Sequence, residues 1–207
     1  MAMDEAFNFY YRDNIEMMEL SGAKPVPFSP VHDSSLPDVD GIYIGGGYPE
    51  LYVRELSENQ GMRASLERAH ERDLPIYAEC GGLMYLAREI EWEGERQEMV
   101  GLVPGKVRRG SIRVVSYVHG HLARDCVLGP AGAKIMGHEF HHSEMVMDER
   151  EKVDYAIRLA RGTGVKDGLD GFCEGRMVAS YSHIHSASFR GFPAEFIRAC
   201  REKRGLN

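Results

Sequence analysis

LPIYAECGGLMYLA, residues 74–87, changes character halfway along. Residues 75–78 form a short apolar run that fits a buried strand. The run breaks at Glu79 and Cys80, and from Gly81 to Ala87 the apolar spacing fits a helix. Strand, sharp turn and helix in sequence form the building unit of an α/β protein. A cysteine at such a turn is held out of the core beside the free N–H groups of the following helix, which favour a thiolate. Gly81 and Gly82 leave room for another backbone to approach, and the Gly81 N–H can donate to an oxyanion. Cys80 is therefore the candidate nucleophile. Cys126, Cys173 and Cys200 have no comparable setting and read as inert thiols.

On either side the same alternation continues. Asp13 is placed to N-cap a helix running through Ile15, Met18 and Leu20 to a stop at Gly22, and residues 25–28 read as a short strand. GIYIGG, residues 41–46, is a buried strand running into glycines, and Met62, Leu66 and Ala69 follow at helical spacing. Residues 99–147 are rich in β-branched residues and glycine and predict additional strands. MVASY, residues 177–181, is another apolar strand, and Pro193 opens a terminal helix with Phe196, Ile197 and Cys200 on one side. These elements predict an α/β fold with a mainly parallel sheet, helices on both faces and extra strands. No repeat, low-complexity tract or linker interrupts the 207 residues, so 1–207 reads as a single domain.

Composition narrows the class. A formal net charge of −7 with no Lys/Arg-rich run argues against a nucleic-acid partner. Four widely spaced cysteines with no C-x-x-C pair fit a reducing compartment. The N-terminus, MAMDEAFNFYY, lacks the pattern of a secretory leader, and no run approaches the roughly 20 apolar residues of a membrane span. A cytoplasmic location is expected.

GHEFHH, residues 137–142, contains the zinc-protease string H-E-x-x-H. That string binds metal only on a helix, where positions i and i+4 share a face. Ile135, Met136, Phe140, Met145 and Val146, flanked by turn glycines, fit a strand better. In a strand His138 and His142 are roughly 13 Å apart, too far for one ion, so no metal is expected. A cysteine nucleophile needs a base instead. SYSHIHS, residues 180–186, offers His183 and His185 just past the strand of residues 177–181, whose end shares a sheet edge with Cys80 if the two strands are parallel. The glycine run IGGGYPEL can aim the N–H groups of Gly46 or Gly47 at the same place.

AFNFYYRDNIEMME, DGIYIGGGYPEL, LPIYAECGGLMYL, GHEFHHS and ASYSHIHSAS together resemble, in order and spacing, the glutamine amidotransferase domain of the cobyrinate a,c-diamide synthases. The relatives that amidate nickel sirohydrochlorin are equally similar. The resemblance runs from about Ala6 to Cys200 and implies a flavodoxin-like, class I glutamine amidotransferase fold. It makes Cys80 the nucleophile, His183 the base, and Gly46, Gly47 and Gly81 the oxyanion hole, with Tyr48, Glu139, His141 and His185 in glutamine-pocket or orienting roles. It implies glutamine as substrate and no cofactor bound by this domain. Ammonia would pass to an ATP-dependent synthetase domain, in the same polypeptide or a separate subunit, that uses ATP and Mg²⁺ on a tetrapyrrole.

Two departures from the pattern stand out. No G-x-x-x-x-G-K-[ST] is present, so the N-terminal synthetase half of the family is expected to be absent from this chain. In addition, His185 stands where many class I amidotransferases carry a Glu two residues after the base, which leaves the orienting group unassigned. The competing readings are a silent amidotransferase-like binding or regulatory module, a DJ-1-like cysteine hydrolase, and the zinc enzyme.

Overall fold

A computed structural model describes residues 1–189 and 191–205. In chain order the elements begin with β1 (Phe7–Phe9), α1 (Arg12–Leu20), β2 (Ile42–Ile44) and β3 (Gly46–Gly47), followed by a single 3₁₀ turn at Pro49–Leu51. Next come α2 (Val53–Glu58), α3 (Gln60–Glu71), β4 (Ile76–Glu79), α4 (Gly81–Leu86), β5 (Ala87–Trp92) and β6 (Glu95–Glu98). The remainder is β7 (Val103–Leu122), β8 (Lys134–Met147), β9 (Tyr155–Arg161), β10 (Leu169–Glu174), β11 (Met177–Ser180), β12 (His183–Ile184) and α5 (Gly191–Arg204).

Three of these strands, β2, β4 and β11, lie side by side and parallel, with β4 in the middle. Alternation along them divides the core in two, because successive side chains point to opposite faces. Ile42, Ile44, Ile76, Ala78, Met177 and Ala179 face a cluster closed by Met62, Leu66 and Ala69 of α3. Tyr43, Tyr77 and Val178 face the other way, onto Met18 of α1 and Phe192, Phe196 and Ile197 of α5. Helices therefore cover both faces, as the sequence pattern predicts. Each fully buried Leu, Ile or Phe contributes roughly 1.5–3 kcal/mol by leaving water.

The extra strands outnumber these three and pair antiparallel, except that β5 runs parallel to β7. From β11 the sheet continues through β10, β9, β7 and β8 to β12, with β5 and β6 on a branch beside β7. This path bends back on itself. The chain passes from β11 to β12 in two residues, Tyr181 and Ser182, whose backbone N–H groups both donate to the buried Asp170 carboxylate at 3.0 Å. β12, at one end of the strand path, is thereby brought over β4, near the other end.

Two local expectations differ. Asp13 does not cap α1. The N-cap is Tyr11, without a side-chain cap bond, and Asp13 lies in the first turn, where its charge suits the helix dipole. Residues 25–28 form no strand, only an isolated bridge from Phe28 to Ala2, because Pro25 and Pro27 have no N–H to give to a ladder. No helix among the described residues is long and apolar enough to cross a membrane.

Candidate active site

β4 ends at Glu79 and α4 begins at Gly81, so Cys80 alone makes the turn. Its backbone sits at φ +47°, ψ −96°, a left-handed conformation that a non-glycine residue adopts at a cost on the order of 1–3 kcal/mol. The Cys80 N–H donates to the Ser180 carbonyl at 2.7 Å, which ties the elbow to the end of β11. Contrary to the exposure expected of an elbow, Cys80 is only 5% exposed. Its sulfur opens instead into a cavity of about 190 Å³ lined by Asn8, Phe9, Gly47, Tyr48, His138, Phe140 and His183.

His183 comes from β12 and is buried. Burial opposes the imidazolium, but hydrogen bonding and charge from Cys80 and from Glu79 outweigh it and push the pKa of His183 up to about 10. Its Nδ1 stands 3.7 Å from Glu79 Oε2, an ion-pair distance rather than a hydrogen bond. Packing fixes the ring: Phe9 meets it edge-on at 5.0 Å between centroids, and His138 stacks on it at 4.8 Å. His138 is itself pushed down in pKa, first by burial and then by the charge of His183, and it hydrogen-bonds the Tyr11 hydroxyl at 2.7 Å. Asn14, fully buried, steadies the segment from α1. Its amide donates to the Ile184 carbonyl at 2.8 Å and accepts from the Ser186 N–H at 2.7 Å.

The glycine loop crosses the same space. A side chain on Gly46 would place its Cβ 2.6 Å from His183 Cε1, so only glycine lets β3 lie against the imidazole. A Cβ on Gly81 would sit 3.0 Å from the Gly47 nitrogen. The backbones that carry the Gly47 and Gly81 N–H groups therefore meet beside Cys80. As the first residue of α4, Gly81 has no partner for its N–H within the helix.

The remaining sequence candidates divide. Tyr48 lines the cavity and is half exposed. Glu139 and His141 do not line it. Gly137–His142 lies inside β8, a strand as the sequence predicts, so alternate residues face opposite ways and His138 and Phe140 take the cavity side. Glu139 is buried behind, accepting from the Thr163 N–H at 2.9 Å and the Gly164 N–H at 2.5 Å. His141 stacks on Tyr181 at 4.0 Å, with Nδ1 against the Ser143 carbonyl. His185 also points away, its ring against Tyr11 at 4.4 Å and Nε2 3.6 Å from Asp13 Oδ2. The sequence alone marks His138 only as a rejected metal ligand, Phe140 as a strand position and Glu79 as a strand break, and assigns none of them to this site. Period-2 alternation within HEFHH and IYAE was the signal that could have found them.

Larger clefts lie elsewhere. One of about 510 Å³ is lined by Arg88, Arg124, Glu151 and Asp154, which form the ion pairs Arg88–Glu151 and Arg124–Asp154. Among the described residues no group of three or more His, Cys, Asp or Glu side chains is arranged to hold a metal.

Brief treatment with iodoacetamide at neutral pH is expected to label Cys80 first, despite its low exposure. Only Cys80 faces an imidazolium, whereas burial raises the thiol pKa of Cys126, that of Cys173 to about 11 and that of Cys200 to about 12. Peptide mapping decides this, and faster labelling of any of the other three would remove Cys80 as nucleophile.

The chain matches the family model for the CobB/CobQ-like glutamine amidotransferase domain over residues 1–191. It is 48% identical, over an alignment of 217 residues, to a cobyrinate a,c-diamide synthase of Methanosarcina barkeri, covering 99% of this chain and 44% of that protein. A cobyrinate a,c-diamide synthase of Listeria innocua is 44% identical over 186 residues, covering 89% of this chain and 41% of that protein. The chain thus spans less than half the length of these relatives. Among solved structures it is similar to PurLQS from Thermotoga maritima, with a TM-score of 0.67 at 16% identity, covering 97% of this chain and 95% of that one. A glutamine amidotransferase crystal structure gives 0.62 at 18% identity, covering 94% of each. These likenesses concern the fold, which is that of a class I glutamine amidotransferase.

Proposed function

The chain belongs to the CobB/CobQ-like glutamine amidotransferase family, and from that premise we propose that it is the ammonia-supplying glutaminase part of a cobyrinate a,c-diamide synthase. The observation that carries the proposal is Cys80, strained at its elbow, facing buried His183 across one small cavity. The Cys80 thiolate attacks the side-chain carboxamide carbon of glutamine. The N–H groups of Gly81 and of Gly46 or Gly47 take the charge that develops on the carbonyl oxygen. His183, as imidazolium, protonates the departing nitrogen, and ammonia leaves a γ-glutamyl thioester on Cys80. Water deprotonated by His183 hydrolyses the thioester to glutamate and regenerates the thiol. Tyr48 and Phe140, both partly exposed at the cavity, border the glutamine.

Ammonia must then reach an acceptor without being lost to solvent. Phe9, Tyr48 and Phe140, each more than two-fifths exposed, form an apolar rim on the cavity that suits a covering partner. We assign that partner to an ATP-dependent synthetase domain corresponding to the remaining length of the relatives. With ATP and Mg²⁺ it activates the a and c acetate carboxylates of a corrinoid or related tetrapyrrole for amidation.

The test supplies glutamine labelled with ¹⁵N in its side-chain amide to the chain, with and without a synthetase partner, the tetrapyrrole acid, ATP and Mg²⁺. Glutamate is expected in both cases, faster in the complete mixture, with ¹⁵N appearing in the tetrapyrrole diamide. Absence of glutamate in the complete mixture would overturn the glutaminase reading. Glutamate without ¹⁵N transfer would overturn only the acceptor assignment.

A further inference from the structure

The residue before the nucleophile is a glutamate buried to 1% exposure. Alternation along β4 places Glu79 on the face of Tyr77 and away from Ala78, and Tyr77 is the cross-strand partner of Tyr43 on β2. The two tyrosine rings stack at 5.2 Å, and both hydroxyls donate to the carboxylate, Tyr43 to Oε2 at 2.9 Å and Tyr77 to Oε1 at 2.5 Å. A third donor is the N–H of Ile184, the residue after His183, at 3.1 Å to Oε1. No Lys or Arg forms an ion pair with Glu79 among the described residues. Its one ion-pair partner among these residues is His183, whose Nδ1 is buried 3.7 Å away without a hydrogen-bond partner. A buried carboxylate left without a counter-charge is strongly unfavourable, so this site is arranged to hold His183 as a cation.

We propose that Glu79 is the positioning residue for His183: it holds the imidazole by Nδ1, so that Nε2 is turned to Cys80, and it balances the charge His183 carries when the thiol is ionised. The assignment rests on the glutaminase reading of the cavity. It places the orienting acid on the nucleophile's own strand instead of two residues beyond the base, where His185 is occupied by Tyr11 and Asp13. The hydrogen bond to Ile184 makes the link doubly effective, since the same carboxylate grips the backbone that carries the base. The other groups facing His183 are uncharged or already engaged. Phe9 is apolar, burial pushes His138 and His141 down in pKa, and Asp170 is occupied by the Tyr181 and Ser182 N–H groups.

A purely structural glutamate, present only to satisfy two tyrosines, would affect stability alone. The two roles separate in the rate of Cys80 alkylation by iodoacetamide as a function of pH, measured on the full chain without glutamine. Removing the carboxylate makes the His183 imidazolium lose its proton at lower pH, so the thiolate–imidazolium pair is less favoured at neutrality. Glu79→Gln is expected to slow alkylation at pH 7 about tenfold and to move its half-maximal pH upward by about one unit. With glutamine as substrate, kcat should fall about 10²-fold with KM nearly unchanged, as for loss of the group that orients a catalytic base. Leu66→Ala, which opens the core under α3 at a residue that does not line the cavity, is the stability control and should lower Tm without moving the alkylation profile. If Glu79→Gln does not fold, Glu79→Asp makes the same measurement by retracting the carboxylate one methylene, and a smaller upward shift is expected. An unchanged profile in whichever variant folds overturns the proposal. Because alkylation needs no glutamine, this result stands apart from any failure of the chain to release glutamate.

Discussion

Cys80→Ala should lower glutamine hydrolysis by roughly 10³-fold or more, and His183→Ala by nearly as much, since a general base alone contributes typically 10² to 10⁴-fold. The double variant should lose no more than the worse single one, because nucleophile and base act as a unit and their contributions do not add. His185→Ala, which removes a ring packed on Tyr11 outside the cavity, should reduce the rate only modestly. The measurement is glutamate release with the synthetase partner present, so that coupling to the partner does not limit the comparison. If His185→Ala proves more damaging than His183→Ala, the base has been assigned to the wrong histidine.

The second large effect is expected from a residue with no reactive group. Gly137 of β8 pairs with Ile184, and a Cβ there would overlap the His183 carbonyl oxygen. Gly137→Ala must therefore push β12 off β8. Overpacking of this kind costs about 1–3 kcal/mol. The displacement also moves the base, and about 1 Å of misplacement at a reacting group can cost on the order of 10²-fold. The expected outcome is a kcat lower by about two orders of magnitude with a protein that still unfolds cooperatively, at a reduced Tm. An unchanged kcat would show that β8 does not set the position of His183.

Local sequence was most informative where the chain organises itself locally. The elbow at Cys80 was legible because an apolar strand, two glycines and a helix adjoin within one short segment. The register of Met62, Leu66 and Ala69 was legible because a helix repeats its buried face every three or four residues. What could not be read were relations set by pairing. HEFHH reads as a strand and is one, yet which of its faces meets Cys80 depends on β12 docking along Gly137 and His138. Glu79 looked like the break that ends a strand. It is instead the last strand residue, and its importance comes from Tyr43, 36 residues upstream, and Ile184, 105 residues downstream. The parallel pattern was visible in β2, β4 and β11, whereas the antiparallel majority lies in long, polar-faced strands whose partners cannot be named from their own residues.

The bend of the strand path back over β4 has a consequence for how the molecule is made. Glu79 and Ile184 lie 105 residues apart, and closing so long a loop carries an entropic cost that local contacts cannot offset early. The elbow can form soon after its strand and helix do, but the base arrives only when β11 has docked along β4 and carried β12 with it. Assembly of the Cys80–His183 pair is thus a late folding event, and a chain that stalls midway has its thiol in place with no base to use it.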